Sequence, residues 1–424
     1  MNRKSKKETK GQLNPKRLLY LGVLLLAALV WTYLQERPDM GGELALKSSE
    51  PQPSTPITTE GGGEVRTYGV GFYNVENLYD TTDDPKVNDE DFLPDGQYAW
   101  DQKKYTLKIA NISRVLSELG ADGSSRHEAS LIGLAEVENR GVVEDLLAHQ
   151  NLRQSGYRIL HYDSPDRRGI DCALLYHPDD YRLTDSLYVP YIFPSARNPQ
   201  DNLGFSVDPA TRRVKARKLF GDTSKKTRGF LVAIGELAGQ PLSVIVCHWP
   251  SRGSESDTRE QAGYQVRKLR EALLEQYPGM AFVIMGDLND DPDNKSLSRS
   301  LQTRYTTKEV AGNTAELYNP WRYTLREEGR GTLTYKGEWN LFDQIIVSGN
   351  LVSPQLGQQQ GHEADDVTVG SELTMVRHEI FNPEYIQETE AKYRGNPLRT
   401  HVGTRWMKGY SDHFPTYILL SKRQ

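Results

Sequence analysis

Six short stretches of this sequence place metal- or phosphate-competent side chains directly beside an apolar run. "GFYNVENLYD" supplies Asn74 and Glu76, "LIGLAEVEN" supplies Glu136, and "VIVCHWPSR" supplies His248 and Arg252. "FVIMGDLND" supplies Asp287 and Asn289, "NLFDQIIV" supplies Asp343, and "GYSDHFP" supplies Asp412 and His413. One acid beside a strand is ordinary solvation. A recurring set of Asn, Asp and Glu with two His reads instead as strand ends gathered at one edge of a sheet. Carboxylate and amide oxygens without thiolates suit a hard cation, Mg2+ or Mn2+. Two imidazoles beside an Asp–Asn pair then fit phosphoester hydrolysis. A carboxylate deprotonates water, an imidazole held by a second carboxylate supports the charge at phosphorus, and the metal neutralises phosphate oxygens.

Other chemistries find no support. The two cysteines, Cys172 and Cys247, sit in the strand-like runs "DCALLY" and "SVIVCHW" and read as buried free thiols, too few and too far apart for a zinc site. No HExxH, Walker or GxGxxG pattern occurs, and "EGGGEV" lies in a low-complexity stretch. A G-x-S-x-G elbow is absent, which argues against a serine hydrolase.

The elements that must position these residues alternate along the chain. Strands are expected in "VRTYGVGFYNVEN", "SLIGLAEVEN", "DCALLYH", "GFLVAIGEL", "LSVIVCHW", "AFVIMGDLND", "TLTYKGEWNLFDQIIVS" and "FPTYILL". Helical spacing marks "YTLKIANISRVLSEL", "VVEDLLAHQ" and "TREQAGYQVRKLREALLEQY". The short connection between 230–236 and 242–247 predicts an antiparallel pair, and the whole reads as a mixed α/β domain. With 424 residues, 37% hydrophobic and 26% charged, the composition is that of a globular protein, and a net charge of −5 gives no global pull toward nucleic acid or anionic membrane.

The beginning of the chain carries a different signal. Arg3, Lys4, Lys6, Lys7, Lys10, Lys16 and Arg17 stand against Glu8, and "LLYLGVLLLAALVWTYL" (18–34) has no charge. At about 1.5 Å per residue this run nearly spans a hydrocarbon core of about 30 Å. Residues 1–17 therefore read as a cytoplasmic basic tail, 18–34 as a transmembrane signal-anchor or uncleaved signal, and 35–65 as a flexible linker. The catalytic domain, 66–424, is expected on the periplasmic side of a bacterial inner membrane. A cleaved signal peptide is the rival reading. No small-x-small site follows the apolar run, and no Cys follows it for lipid attachment.

Together these segments resemble the endonuclease/exonuclease/phosphatase superfamily, the DNase-like metal phosphoesterases. The resemblance runs from about residue 66 to 420 on "FYNVENLYD", "IGLAEVEN", "RGIDCALLY", "HWPSR", "MGDLNDDP", "GEWNLFDQIIVS" and "GYSDHFP", in the family's order. It implies a four-layer α/β/β/α sandwich, two mostly antiparallel sheets face to face with helices outside. It also implies roles. Glu136 matches the principal Mg2+ ligand, with Asn74 supporting metal and phosphate, Glu76 assisting and Asp412 near the metal. Asp287 matches the water-activating acid and Asn289 the residue that orients the phosphate. His248 matches a phosphate-contacting His, His413 the catalytic His and Asp343 the acid that orients it. Arg168 and Asp171 of "RRGID" fit a substrate loop.

Arg252 is open between a phosphate clamp and a surface charge. Glu138, Asp290 and Asp291 read as solvated loop acids, Trp249 and Trp339 as packing residues. The polar stretch 190–228, with nine Lys and Arg from Arg197 to Arg228, is either a solvated loop or a basic flap over an anionic substrate. Three functions compete. One is a tethered, exported nuclease or phosphodiesterase, monomeric, acting on a phosphoester such as a nucleic acid. The second is a phosphoesterase of small molecules or lipid head groups, of sphingomyelinase-like or inositol-phosphate type. The third, a catalytically dead binding module, is argued against by the full set of acids and imidazoles.

Overall fold

The structure, a computed structural model, describes residues 63–126, 128–193, 203–217, 227–357 and 369–424. The basic tail, the apolar run and residues 35–62 of the linker lie outside these, as do Arg197, Lys218, Lys225 and Lys226. Among the described residues no helix is long and apolar enough to cross a membrane.

Val65–Leu78 (β1) is buried almost throughout, with Asn74, Glu76 and Asn77 at its far end. Next come Leu131–Val137 (β2), Arg158–His161 (β3) and Asp171–Tyr176 (β4). Tyr181–Val189 (β5), Phe230–Leu237 (β6), Gln240–His248 (β7) and Ala281–Asp287 (β8) follow. The two-residue strands Thr303–Arg304 (β9) and Leu317–Tyr318 (β10) precede Asp343–Ser348 (β11), Thr374–Ile380 (β12) and Thr416–Arg423 (β13). Among the described residues they form two large sheets, ordered β12-β13-β1-β2-β4-β3 and β9-β10-β11-β8-β7-β6-β5. Most neighbours are antiparallel. The parallel pairs are β1/β2, β7/β8 and β9/β10. The predicted antiparallel pair is β6/β7.

The sheets pack face to face through one apolar core that takes Phe72, Leu134 and Leu174 from one sheet and Val244, Met285 and Ile345 from the other. Helices Gln102–Glu118 (α1) and Arg140–Ala148 (α2) cover the first sheet, while Ser256–Gln276 (α3) covers the second through Ala262, Val266 and Leu269. Asp101 caps α1 by accepting from Lys104 N, and Asn139 caps α2 by accepting from Val142 N. This is the expected sandwich of two mostly antiparallel sheets with helices outside.

Two details of the strands set how these residues are presented. First, β1 runs to Leu78, as the expected strand over 65–77 implied, but with a bulge between Asn74 and Leu78, and a matching irregularity separates Ala135 from Val137 where β2 pairs β4. An extra residue in one strand re-aims side chains without ending the ladder. Second, Asp343 opens its strand and His413 precedes one, because β11 and β13 run antiparallel to β8 and β1. Strands entering and strands leaving thus meet at one edge. Strands β5 and β12 were not foreseen: "YRLTDSLYV" and "TMVRHEI" flank the sheets with charged residues interleaved, which weakens the apolar signal.

Candidate active site

Register alone brings three of the candidates side by side. Asp287, the last residue of β8, pairs with His248 of β7 on one flank and with Asp343 of β11 on the other. Gly286 before it lets β8 and β7 approach: a Cβ there would stand 2.2 Å from Cys247 O. His413 arrives from the other sheet. Its loop is fastened by Ser411, whose hydroxyl donates to Asn74 O (2.6 Å) and accepts from His413 N (3.1 Å). Gly409 is needed where the loop crosses Leu398 and Arg399, whose carbonyl oxygens would lie 2.2 Å from a Cβ.

These residues form a buried, connected group. His413 Nδ1 lies 2.7 Å from Asp343 Oδ2. The Nε2 atoms of His413 and His248 lie 3.9 and 3.6 Å from the same oxygen, Asp287 Oδ2. Asp287 Oδ2 accepts from Asn74 Nδ2 (3.0 Å) and its Oδ1 accepts from Asn289 N (3.0 Å). Burial opposes a charge on His413, but the Asp343 carboxylate and its hydrogen bond, with Asp412 and Asp287, outweigh it and hold the ring well above its usual pKa. His248 goes the other way: burial, then the charges of Arg228, Arg168 and His413, push it well down. Two imidazoles on one carboxylate thus differ in charge. Burial raises Asp287 to about 7, against the pull of His413 and with Asp343 and Glu136 adding to the rise.

Around Glu136 the arrangement is more open. Glu136 Oε2 accepts from Asn77 N (2.9 Å), while Oε1 faces His248 Nε2 at 3.7 Å and Arg168 Nη2 at 3.8 Å. Glu76 Oε2 accepts from Thr400 N (2.6 Å), and Arg399 reaches both Glu76 (3.8 Å) and Asp412 (2.7 Å). Behind them Lys108 of α1 is buried and donates to Thr400 Oγ1 and Tyr410 O. Burial lowers the Lys108 ammonium and raises the Glu76 carboxyl, each partly restored by the opposite charges around it. Glu76, Glu136 and Asn289 all have left-handed backbones, with φ of 49, 67 and 51°. Such a conformation costs a non-glycine residue about 1–3 kcal/mol and gathers at functional sites.

The side-chain chemistry fits a hard divalent cation: Glu136 Oε1 accepts no hydrogen bond among the described residues, and the candidate ligands Glu136, Glu76, Asp412 and Asn74 offer carboxylate and amide oxygens. The acids are not drawn into one tight shell, however. Among the described residues the triads whose ligand atoms lie within 4.8 Å of one another are Asp287–Asp343–His413 and His161–Asp163–Asp171, and neither contains Glu136, Glu76 or Asp412.

Other candidates sit elsewhere. Asp171 is buried, accepts from Ser164 N (3.0 Å) and faces His161 Nε2 (3.2 Å), so it shapes the loop that carries Arg168 rather than joining the group around Asp287 and Glu136. Arg252 spends its guanidinium on Asn289 O, Asn340 Oδ1 and Asp291 Oδ2 and stacks over Phe342. Glu138, Asp290 and Asp291, expected in solvent, are buried: they hold Asp80 N, Arg259 with Ser296, and Arg252 with Leu341 N. Three residues were not foreseen, Arg399, Thr400 and Lys108. Only Lys108 left a trace in the sequence, a cation three residues after Tyr105 and four before Ile112 on the apolar face of a helix.

Residues 69–203 and 207–422 match the model of the Endonuclease/Exonuclease/phosphatase family. The chain belongs to this family. Members are metal-dependent phosphoester hydrolases, and this chain is one. No curated protein matches it in sequence. Among solved structures it is similar to an endonuclease/exonuclease/phosphatase family protein of Bacteroides thetaiotaomicron, at 13% identity over 85% of this chain and 97% of that one, TM-score 0.48. It is also similar to that organism's mannosyl-6-phosphatase (13%, 83% and 99%, TM-score 0.48) and to D. rerio TDP2 complexed with a single-strand DNA product (13%, 84% and 98%, TM-score 0.43).

Proposed function

We propose that this family member is a Mg2+-dependent phosphodiesterase, tethered to the membrane and exported, with a nucleic acid strand as its first candidate substrate. The observation that carries the hydrolytic reading is the convergence of the His248 and His413 Nε2 atoms on Asp287 Oδ2, with Asp343 bonded to the far side of the His413 ring. Asp287, raised to about 7, is the group to take a proton from water near neutral pH. His413, held protonated by Asp343, donates toward a phosphate oxygen. Neutral His248 offers an N–H without adding a charge. Asn289 is anchored by its Nδ2 to Trp249 O (3.0 Å) and keeps a second N–H for the phosphate.

Glu136 and Asn74, with Glu76 and Asp412 beside them, are the residues to hold the cation. When bound, it supplies neutralisation of phosphate and leaving-group oxygens. Arg168, half exposed beside Glu136, is placed to meet the substrate. Arg252 and Asp171 support the loops around it.

A second reading, a small-molecule or lipid-head-group phosphoesterase, is favoured by the fate of the basic stretch. Its described part forms a hairpin, Phe205–Val207 with Val214–Ala216, on α3. There Arg212 pairs with Glu275, Arg213 with Asp185 and Lys215 with Asp208 instead of lining a path for a polyanion. Release from plasmid DNA, RNA, bis-p-nitrophenyl phosphate, sphingomyelin and the monoester p-nitrophenyl phosphate in Mg2+, with Glu136→Ala and His413→Ala as controls, decides between them. Hydrolysis of monoesters alone contradicts the phosphodiesterase reading. The tether rests on the basic 1–17 and uncharged 18–34 segments. Retention of the chain in alkali-washed membranes, with its domain open to protease only from the outer side, is the expected result.

A further inference from the structure

We infer that the buried Asp166–Arg228 ion pair is a latch that positions the two substrate-facing loops of the cleft, one from each sheet. It rests on the phosphoesterase reading of that cleft. Arg228 closes the basic stretch and enters β6, yet it does not face solvent: its side chain and that of Asp166 are each 7% exposed. Its Nη1 donates to Asp166 Oδ2 (3.0 Å), its Nε to His248 O (3.4 Å) and its Nη2 to Trp249 O (3.2 Å). Trp249 O also accepts from Asn289 Nδ2, so the guanidinium reaches within one atom of two residues of the hydrolytic group.

The acid serves the opposite loop. Asp166 Oδ1 accepts from Arg168 N (2.9 Å), and Arg168 O accepts from the Tyr79 hydroxyl (2.7 Å). The segment 164–171 is thereby fixed where the Arg168 guanidinium meets Glu136 and Asn77. One carboxylate and one guanidinium thus bridge β4's approach and β7's exit beneath the cleft. A buried pair held this way is a poor source of net stability, since an apolar pair of similar volume often serves as well. Its worth lies in geometry: small misplacements of a catalytic group cost far more rate than stability.

The test uses the full-length chain with bis-p-nitrophenyl phosphate and Mg2+, reading kcat, KM and the melting temperature. Arg228→Lys keeps the charge opposite Asp166 but gives up the planar fork that serves both carbonyls. It is expected to lower kcat at least about tenfold, with a fall in melting temperature no larger than one unpaired buried carbonyl explains. The double variant Asp166→Leu with Arg228→Met removes both charges together. It is expected to recover most of the stability lost by Arg228→Met alone while kcat stays low. An Arg228→Lys enzyme within about twofold of the wild type, or a double variant that regains kcat along with stability, overturns the latch. An inactive wild type is a distinct result and strikes at the phosphodiesterase reading instead.

Discussion

On one side of the site Asp287, Asp343, His248 and His413 cluster with side chains 0–8% exposed, His413 hydrogen-bonded to Asp343 and both imidazoles within 3.9 Å of Asp287. On the other, Arg168 and Arg399 are 46 and 45% exposed and Asp412 is 31% exposed, and the acids meet guanidiniums as well as the edges of the two imidazoles. Low dielectric on the first side strengthens each contact and makes each unsatisfied group expensive. Solvent on the second side weakens them and leaves room for water, a cation and a substrate phosphate. In the proposed mechanism the first half moves a proton at fixed geometry. The second is rearranged by what binds.

That contrast predicts graded effects. Asp287→Ala or His413→Ala should lower kcat by about 10²–10⁴-fold with the fold intact, read by steady-state kinetics beside circular dichroism. Asp343→Asn leaves the shape but weakens the hold on the protonated His413 ring, and a loss of roughly 10²-fold in kcat is expected. Glu136→Gln should act through the metal instead. The Mg2+ needed for half activity should rise about 10–100-fold, and calorimetric Mg2+ binding should weaken with it. Lys108→Met leaves Tyr410 O and Thr400 Oγ1 without their buried donor and should cost about 1–3 kcal/mol in chemical denaturation. Arg399→Ala is expected to be mildest, under about 1 kcal/mol in stability, because its pairs are screened by water. A large kcat loss in Arg399→Ala with a small one in Asp343→Asn would reverse the comparison.

Much of the site was legible because its signals are local. Asn74, Glu136, Asp287 and His413 each adjoin a strongly apolar run, and the runs themselves fix which sheet edge they reach. What pairs with them was not legible. Arg399 and Thr400 come from the segment between β12 and β13, which carries no periodicity pointing at Glu76. Arg228 stood in a basic stretch open between a solvated loop and a flap, yet it is buried, while Arg212, Arg213 and Lys215 of the hairpin pair with Glu275, Asp185 and Asp208. Asp290 and Asp291 follow "GDLN" as a loop would, and only the tertiary arrival of Arg252 and Arg259 buries them. The bulges that turn Glu76 and Glu136 toward the cleft depend on strand register, which a single chain pattern does not state.

On the proposed mechanism Asp287 and its imidazoles hydrolyse a phosphoester with the help of a divalent cation. The most direct test of that mechanism is bis-p-nitrophenyl phosphate hydrolysis by the wild type and by folded Asp287→Ala, each with chelator and then with Mg2+ or Mn2+ restored. The predicted result is a wild-type rate abolished by chelator and recovered with metal, and no recovery in Asp287→Ala. Equal rates in the two proteins, or a wild-type rate indifferent to the chelator, would contradict it.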